Sequence, residues 1–199
     1  MNTEFQLRPA TANDAKDIAE LIVISSDGVA LIDWAEQAET QQCHPLDIGE
    51  RTYRQDHGNY SWRNCTIVEV DAKVAGLLLT FALPDGPKRK VTGRPSSNAE
   101  NVFAPYMYLE EPNSWYICGV AVYPEYRSQG FGKRLMQLAE QQAKEKKFKK
   151  ISLVAFDQNT KVVQLYKKLG YKVVDHAPVV KHPLIHYTGD ALLMVAELR

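Results

Sequence analysis

The 199 residues, 45% apolar and 24% charged, have the make-up of a soluble globular protein with enough chain to bury a core. Lysine plus arginine equals aspartate plus glutamate, 24 each, so the totals give no support to a nucleic-acid or membrane-surface partner, and neither is expected. Three scattered cysteines, Cys43, Cys65 and Cys118, argue against a disulfide framework; Met1 to Phe5 lacks a secretory pattern and no apolar run reaches membrane-spanning length, so a cytoplasmic location is expected.

Phe5-Gln6-Leu7 reads as a first strand, cut by Pro9, and Thr11 with Asp14 three residues on has the form of a capping box. Ile18, Leu21 and Ile22 then recur at helical spacing to about Ser25, where Asp27-Gly28 breaks the pattern. Residues 31 to 60 are mixed, with one helix around Trp34, Ala38 and Gln41, an interruption at Pro45 and a second helix from Leu46 to Arg54. Cys65 to Val70 and Val74 to Phe81 flank a short polar turn, a β-hairpin whose second strand is apolar enough to lie in the middle of a sheet. A segment from 84 to 113 is rich in proline and glycine, carries Lys88-Arg89-Lys90, and turns aromatic from Val102 to Leu109. Connections of such length are usually functional or disordered, and this one is expected to fold back over a substrate.

Trp115 to Val122 is a strand that ends at Pro124. A glycine-bracketed loop follows, then a helix with Phe131, Leu135, Leu138, Ala139 and Ala143 on one stripe and Lys144, Lys146, Lys147, Lys149 and Lys150 crowding its last turns. Ile151 to Phe156 is a strand, Thr160 to Leu169 a helix stopped by Gly170, and Tyr171 to Val174 and Ala191 to Val195 two final strands. Strands alternating with helices after a hairpin imply an α/β chain with a mixed sheet and helices on its faces. One domain over 1–199 is expected, with 84–113 as a loop insertion.

The loop between the strand and the long helix has the composition of an anion cradle. Gly130 and Gly132 permit close backbone approach, the free amides of the helix start point toward a guest, and Arg127 and Lys133 add positive charge. A phosphate-binding P-loop needs Gly-x4-Gly-Lys-Ser/Thr, but Gly132-Lys133 is followed by Arg134. A dinucleotide fingerprint needs a third glycine where Leu135 stands.

The pattern that fits is Arg127-Ser128-Gln129-Gly130-Phe131-Gly132 directly after a strand, with Val120-Ala121-Val122 and Pro124-Glu125-Tyr126 before it and Asn159 and Leu165-Tyr166-Lys167-Lys168-Leu169-Gly170-Tyr171 after it. Over roughly 115 to 175 the chain resembles the GNAT superfamily of acyl-CoA-dependent N-acyltransferases. The resemblance implies a GNAT-like α+β fold, with a mixed, mostly antiparallel sheet of about six to seven strands. It implies acetyl-CoA as acyl donor, its pyrophosphate on the amides of Gln129, Gly130, Phe131, Gly132 and Lys133, with Ser128 in the loop and Arg127 at its entrance. The pantetheine arm would pair with Val120, Ala121 and Val122 like an added strand. Asn159 would contact the cofactor and Tyr166 would protonate the leaving thiolate. The acceptor would be a small-molecule amine or a protein amino group, and the protein a monomer or homodimer.

The base that takes the amine proton stays open. Family members often carry a glutamate on the strand before the loop, where this chain has Cys118, read as inert core. Glu110 or Glu111 acting through water is the expected choice, with Glu69 and His182 as further candidates. His176, His182 and His186 lack the spacing of a metal site, and no metal is expected. Cys43-His44 is not expected to act as an acyl-transferring pair. The acceptor pocket is expected from the region between Asp33 and Tyr53, the 84–113 segment and the loop around His182, with Trp34, Tyr106 and Tyr108 as possible lining or as packing. Two alternatives remain at this point: a catalytically silent coenzyme A-binding module, and a nucleotide-binding fold unrelated to acyl transfer.

Overall fold

The computed structural model describes residues 5–86, 102 and 109–198. In chain order the elements are β1 (Phe5–Pro9), α1 (Ala15–Ser25), α2 (Val29–Gln41), α3 (Pro45–Tyr53), β2 (Cys65–Val70), β3 (Lys73–Leu83), β4 (Ser114–Val122), α4 (Phe131–Glu145), β5 (Lys150–Phe156), α5 (Thr160–Lys168), β6 (Lys172–Pro178) and β7 (Asp190–Glu197). The strands hydrogen-bond in the order β1-β2-β3-β4-β5-β7-β6. Pairing is antiparallel for β1 with β2, β2 with β3, β5 with β7 and β6 with β7, and parallel for β4 with β5. The resemblance implied a mixed, mostly antiparallel sheet of about six to seven strands, and the sheet is of that kind, with seven. No helix is long and apolar enough to cross a membrane among the described residues.

The chain divides into two compact units, Met1–Phe81 with Cys118–Ala139, and Ala82–Ile117 with Glu140–Arg199. In the first, the β2–β3 hairpin turns at Asp71 and Ala72, whose φ of 49° and 59° are those of a tight hairpin turn. Leu77, Leu78 and Leu79 of β3 are fully buried. Consecutive residues of a strand point to opposite sides, so both faces of β3 are covered there. Ala15, Ile18, Ala19, Leu21 and Ile22 form the buried stripe of α1, and the helix stops where Asp27 and Gly28 take φ of 50° and 96°. Trp34, expected as pocket lining or as packing, is packing: its ring is buried, lies edge-on to Tyr53, and fills the space that a side chain on Gly49 would need.

The chain entrance to α1 is held by charge. The Thr11 amide donates to Asp14 Oδ2 at 2.7 Å, the half of a capping box foreseen from sequence, while Arg8 donates to both Asp14 oxygens at 2.9 and 2.8 Å and to Glu69 at 2.5 Å. The Arg8 hydrogen bond, helped by the Thr11 amide and against the effect of burial, holds the Asp14 carboxyl below its ordinary value. A carboxyl that binds its proton less readily folded than unfolded stabilises fully above the unfolded value, and loses that contribution as pH falls through the folded one. We therefore expect the urea midpoint to drop as pH falls below about 4. Asp14→Asn should start about 2 kcal/mol less stable at neutral pH and show a shallower acid decline. Equal pH slopes in the two proteins would show that Asp14 is not the linked group.

In the second unit, β5 and β7 pair from Lys150↔Glu197 to Phe156↔Ala191, and β6 closes on β7. The Asn113 amide donates to the Pro84 carbonyl at 3.2 Å, so the long segment leaves and returns at one point. Lys150 was read as part of the helix end. It belongs instead to β5, where its ammonium meets the buried Glu111 carboxylate at 2.6 Å. Helix α4 ends at Glu145, and the chain reverses at Lys147 with a φ of 62°. β6 runs further than expected, from Lys172 to Pro178. Lys88-Arg89-Lys90, Tyr106 and Tyr108 lie outside the described residues.

Candidate active site

Within the first unit, the end of β4 and its loop are built as one piece. The parallel pairing of β4 with β5 runs only from Trp115↔Ile151 to Ile117↔Leu153. Beyond it β4 continues through Val120, Ala121 and Val122 without a β5 partner among the described residues, while the Tyr123 amide still donates to Ala75 of β3 at 2.9 Å. Pro124–Tyr126 then makes a single tight turn. Arg127 is exposed, and its Nε donates back to the Val122 carbonyl at 3.1 Å. That bond fixes the start of the loop relative to the strand.

Ser128 and Gly130 take φ of 64° and 85°, and α4 starts at Phe131, with the Arg134 amide closing on the Gly130 carbonyl at 3.2 Å. Ser128 and Gly130 are thus left-handed, and the amides ahead of Arg134 belong to the helix start, which has no intrahelical acceptors. A methyl group added at Gly130 or Gly132 would meet nothing within 4 Å. Open space beside bare amides is what an anionic group needs, so the loop fits the pyrophosphate expected there. Ser128, Gln129 and Lys133 are exposed around it. The Phe131 ring is buried against Phe5, with centroids 5.1 Å apart, so Phe131 offers a ligand its amide alone.

The structure adds an anchor that sequence reasoning missed. The Tyr123 hydroxyl lies 3.0 Å from Glu20 Oε2 and 3.3 Å from Asp17 Oδ1, both on α1. Burial raises the Asp17 carboxyl, the Tyr123 bond opposing it, and burial followed by the two acids raises the Tyr123 phenol. Two acids three residues apart on a polar helix face look like any solvated helix, so nothing in the sequence singled them out.

The second unit holds the remaining candidates. Asn159 stands at the N-cap of α5; its carbonyl accepts from Val162 and Val163 at 3.0 Å, but its side chain makes no capping bond. The amide group is thus not consumed by the ordinary duty of an N-cap asparagine. Tyr166, on α5, is buried with its ring 5.8 Å from that of Tyr171. Glu110 is exposed, whereas Glu111 is buried and tied to Lys150. Its carbonyl also accepts from Ser114 Oγ at 2.7 Å, which lies 2.7 Å from Ser152 Oγ.

The other acids and nucleophiles have defined surroundings. Glu69, in the first unit, accepts from Gln6 and Arg8 and titrates low chiefly because of Arg8. Burial pushes the Cys118 thiol up to about 12, so it stays protonated at neutral pH and lacks nucleophilic character. Cys43 accepts from Arg51 at 3.1 Å while His44 Nδ1 accepts from the Leu46 amide at 3.2 Å, so the two neighbours serve different partners. In the second unit, His182 Nδ1 accepts from the Leu184 amide at 3.2 Å and His176 Nδ1 lies 2.9 Å from Asp190 Oδ2.

The sequence profile of the Acetyltransferase (GNAT) family matches residues 29–171. The chain belongs to this family. It is an acyltransferase, as its membership and its fold together imply. No curated protein sequence matches it significantly. Among solved structures, an acetyltransferase superimposes with a TM-score of 0.65 at 20% identity, over 98% of this chain and 100% of that one. An N-acetyltransferase from Staphylococcus aureus Mu50 gives 0.63 at 18% identity over 96% and 100%. The ribosomal-protein-S18-alanine N-acetyltransferase from Escherichia coli gives 0.61 at 13% identity over 98% and 94%. At these identities the likeness to GNAT structures is one of fold.

Proposed function

We propose that this GNAT protein transfers an acetyl group from acetyl-CoA to a primary amine, of a small molecule or of a protein, by direct attack on the thioester. The observation that carries the proposal is the loop from Arg127 to Lys133, with left-handed Ser128 and Gly130 feeding the bare amides at the start of α4. Those amides, of Gln129 through Lys133, would hold the coenzyme A pyrophosphate, with the Arg127 guanidinium at the entrance. The edge of β4 at Val120–Val122, which has no β5 partner among the described residues, would take the pantetheine arm as an added strand. The side-chain amide of Asn159 supplies a further polar contact.

In the proposed reaction the amine nitrogen attacks the thioester carbonyl carbon, and a backbone amide near Val120 stabilises the oxyanion that forms. The carbon–sulfur bond then breaks as the carbonyl re-forms. Tyr166 gives its phenolic proton to the departing thiolate, and the proton lost by the amine passes through water to a carboxylate. Of the two acids proposed, Glu110 is the exposed one, while the Lys150 ammonium occupies Glu111.

Acetyl-CoA mixed with a panel of amines and peptides, read by release of free thiol, tests the reaction. Transfer to at least one acceptor is expected; binding of acetyl-CoA with no transfer to any would defeat it. The donor site is tested separately by Gly130→Val. A β-branched residue at a φ of 85° is strained and should pull the loop out of shape. We expect the acetyl-CoA KM to rise about tenfold or more, with turnover at saturation changed far less. An unchanged KM would take the loop out of donor binding.

A further inference from the structure

Tyr53 ends α3 with its ring fixed and its hydroxyl unspent. The residue is 3% exposed, and its ring stands edge-on to Trp34 of α2 with centroids 6.3 Å apart. Gly49, one turn earlier on α3, leaves the room that the Trp34 ring occupies, so the phenol is held from behind. The hydroxyl has no hydrogen-bond partner among the described residues. Trp115 Nε1 is the one side-chain polar atom among them that is fully enclosed without a partner, so the Tyr53 oxygen is not sealed in. It opens onto space that water or a ligand can enter. Phenylalanine would fill the same place against Trp34 without presenting a polar atom there, so packing alone does not account for a tyrosine.

The surroundings of the hydroxyl suit an amine. Cys118, Cys65 and Tyr60 are near enough to act on the phenol electrostatically; burial first, and then these groups, hold it well above its ordinary value, so it stays protonated at neutral pH. Cys65 Sγ is turned to the Ser61 carbonyl at 3.5 Å, and Ser61 Oγ to the Gln55 carbonyl at 2.6 Å. Cys118 is the first residue of β4 past its pairing with β5, and it directly precedes Gly119 and Val120, where the proposed reaction stabilises its oxyanion. An amine attacks only as the free base, and a carboxylate beside it would favour the unreactive ammonium. A phenol and a thiol that both remain neutral do not. The phenol oxygen offers its lone pairs to an N–H while its own proton goes to water.

We propose that Tyr53 binds the acceptor: its hydroxyl oxygen accepts a hydrogen bond from the attacking primary amine and holds that nitrogen beside β4 at Cys118. The inference rests on the acetyl-transfer reading and adds a residue to it. Tyr53→Phe tests it, because the ring stays and only the hydroxyl goes. Phenethylamine, spermidine and a hexapeptide with a free N-terminus serve as probes for the full chain and the variant. For each, KM is measured in acetyl transfer, and Kd by titration calorimetry on protein saturated with coenzyme A. Expected in the variant is a rise of about tenfold or more in Kd and KM for the amines that the wild type binds, with the acetyl-CoA KM unchanged. The thermal midpoint should not fall, since no hydrogen bond within the protein is lost. Equal Kd values in the two proteins overturn the proposal, whether or not the midpoint drops, and so does a wild type that binds none of the amines. A wild type that binds an amine and transfers nothing to it defeats the acetyl-transfer reading instead, and the Kd comparison then still decides whether Tyr53 holds the amine.

Discussion

Replacing Tyr166 by phenylalanine lowers turnover by about a hundredfold or more and leaves acetyl-CoA affinity nearly unchanged. The proposed work of the hydroxyl is to protonate the thiolate as the carbon–sulfur bond breaks, an interaction absent before the reaction begins. Its loss is therefore expected in turnover rather than in ground-state binding. The ring is buried beside Tyr171, and phenylalanine keeps that aromatic contact, so a matching thermal melt should separate chemistry from folding. Single-turnover rates with a saturating amine give the cleanest comparison, because slow product release could hide the effect in steady state. Equal rates for the two proteins would remove Tyr166 from the mechanism.

Gly76→Val is the substitution expected to cost most stability, about 3 kcal/mol. A Cβ at Gly76 would stand 2.8 Å from the Ala121 carbonyl oxygen, 3.3 Å from Val122 and 3.4 Å from Val68. The nearest of these is backbone of β4 and cannot rotate aside as a side chain could. Relief would require β4 to move from β3 next to the Ala75–Tyr123 hydrogen bond that anchors the loop. The variant should thus lose denaturant midpoint and acetyl-CoA affinity together, whereas Gly76→Ala, with one methyl to place, should lose less of both. An unchanged urea midpoint for the valine variant would show that β3 and β4 yield more readily than their spacing implies.

The elements legible in the sequence are those whose causes are local. The Thr11–Asp14 cap, the Asp27-Gly28 break and the hairpin around Asp71 and Ala72 join residues a few positions apart, and each lies where sequence placed it. Lys150 was misread because a lysine after a run of lysines looks like a helix end. What draws it into β5 is its register with Glu197 and the Glu111 carboxylate 39 residues away. The ambiguity of Trp34 between pocket and packing was likewise settled by Gly49, on a different helix.

By itself the sequence determined the local pattern on which the proposed donor site rests. A phosphate cradle is made by the backbone of consecutive residues, so its glycines and flanking charges can be read in one line, from Val120 to Lys133. Tertiary structure decided which charges are already spent. Glu69 is held by Arg8, Glu111 by Lys150, and Tyr123 stands over Glu20 and Asp17 across about a hundred residues of chain. The partner of a carboxylate depends on strand register and on which helix face turns inward, and those follow from packing the whole chain.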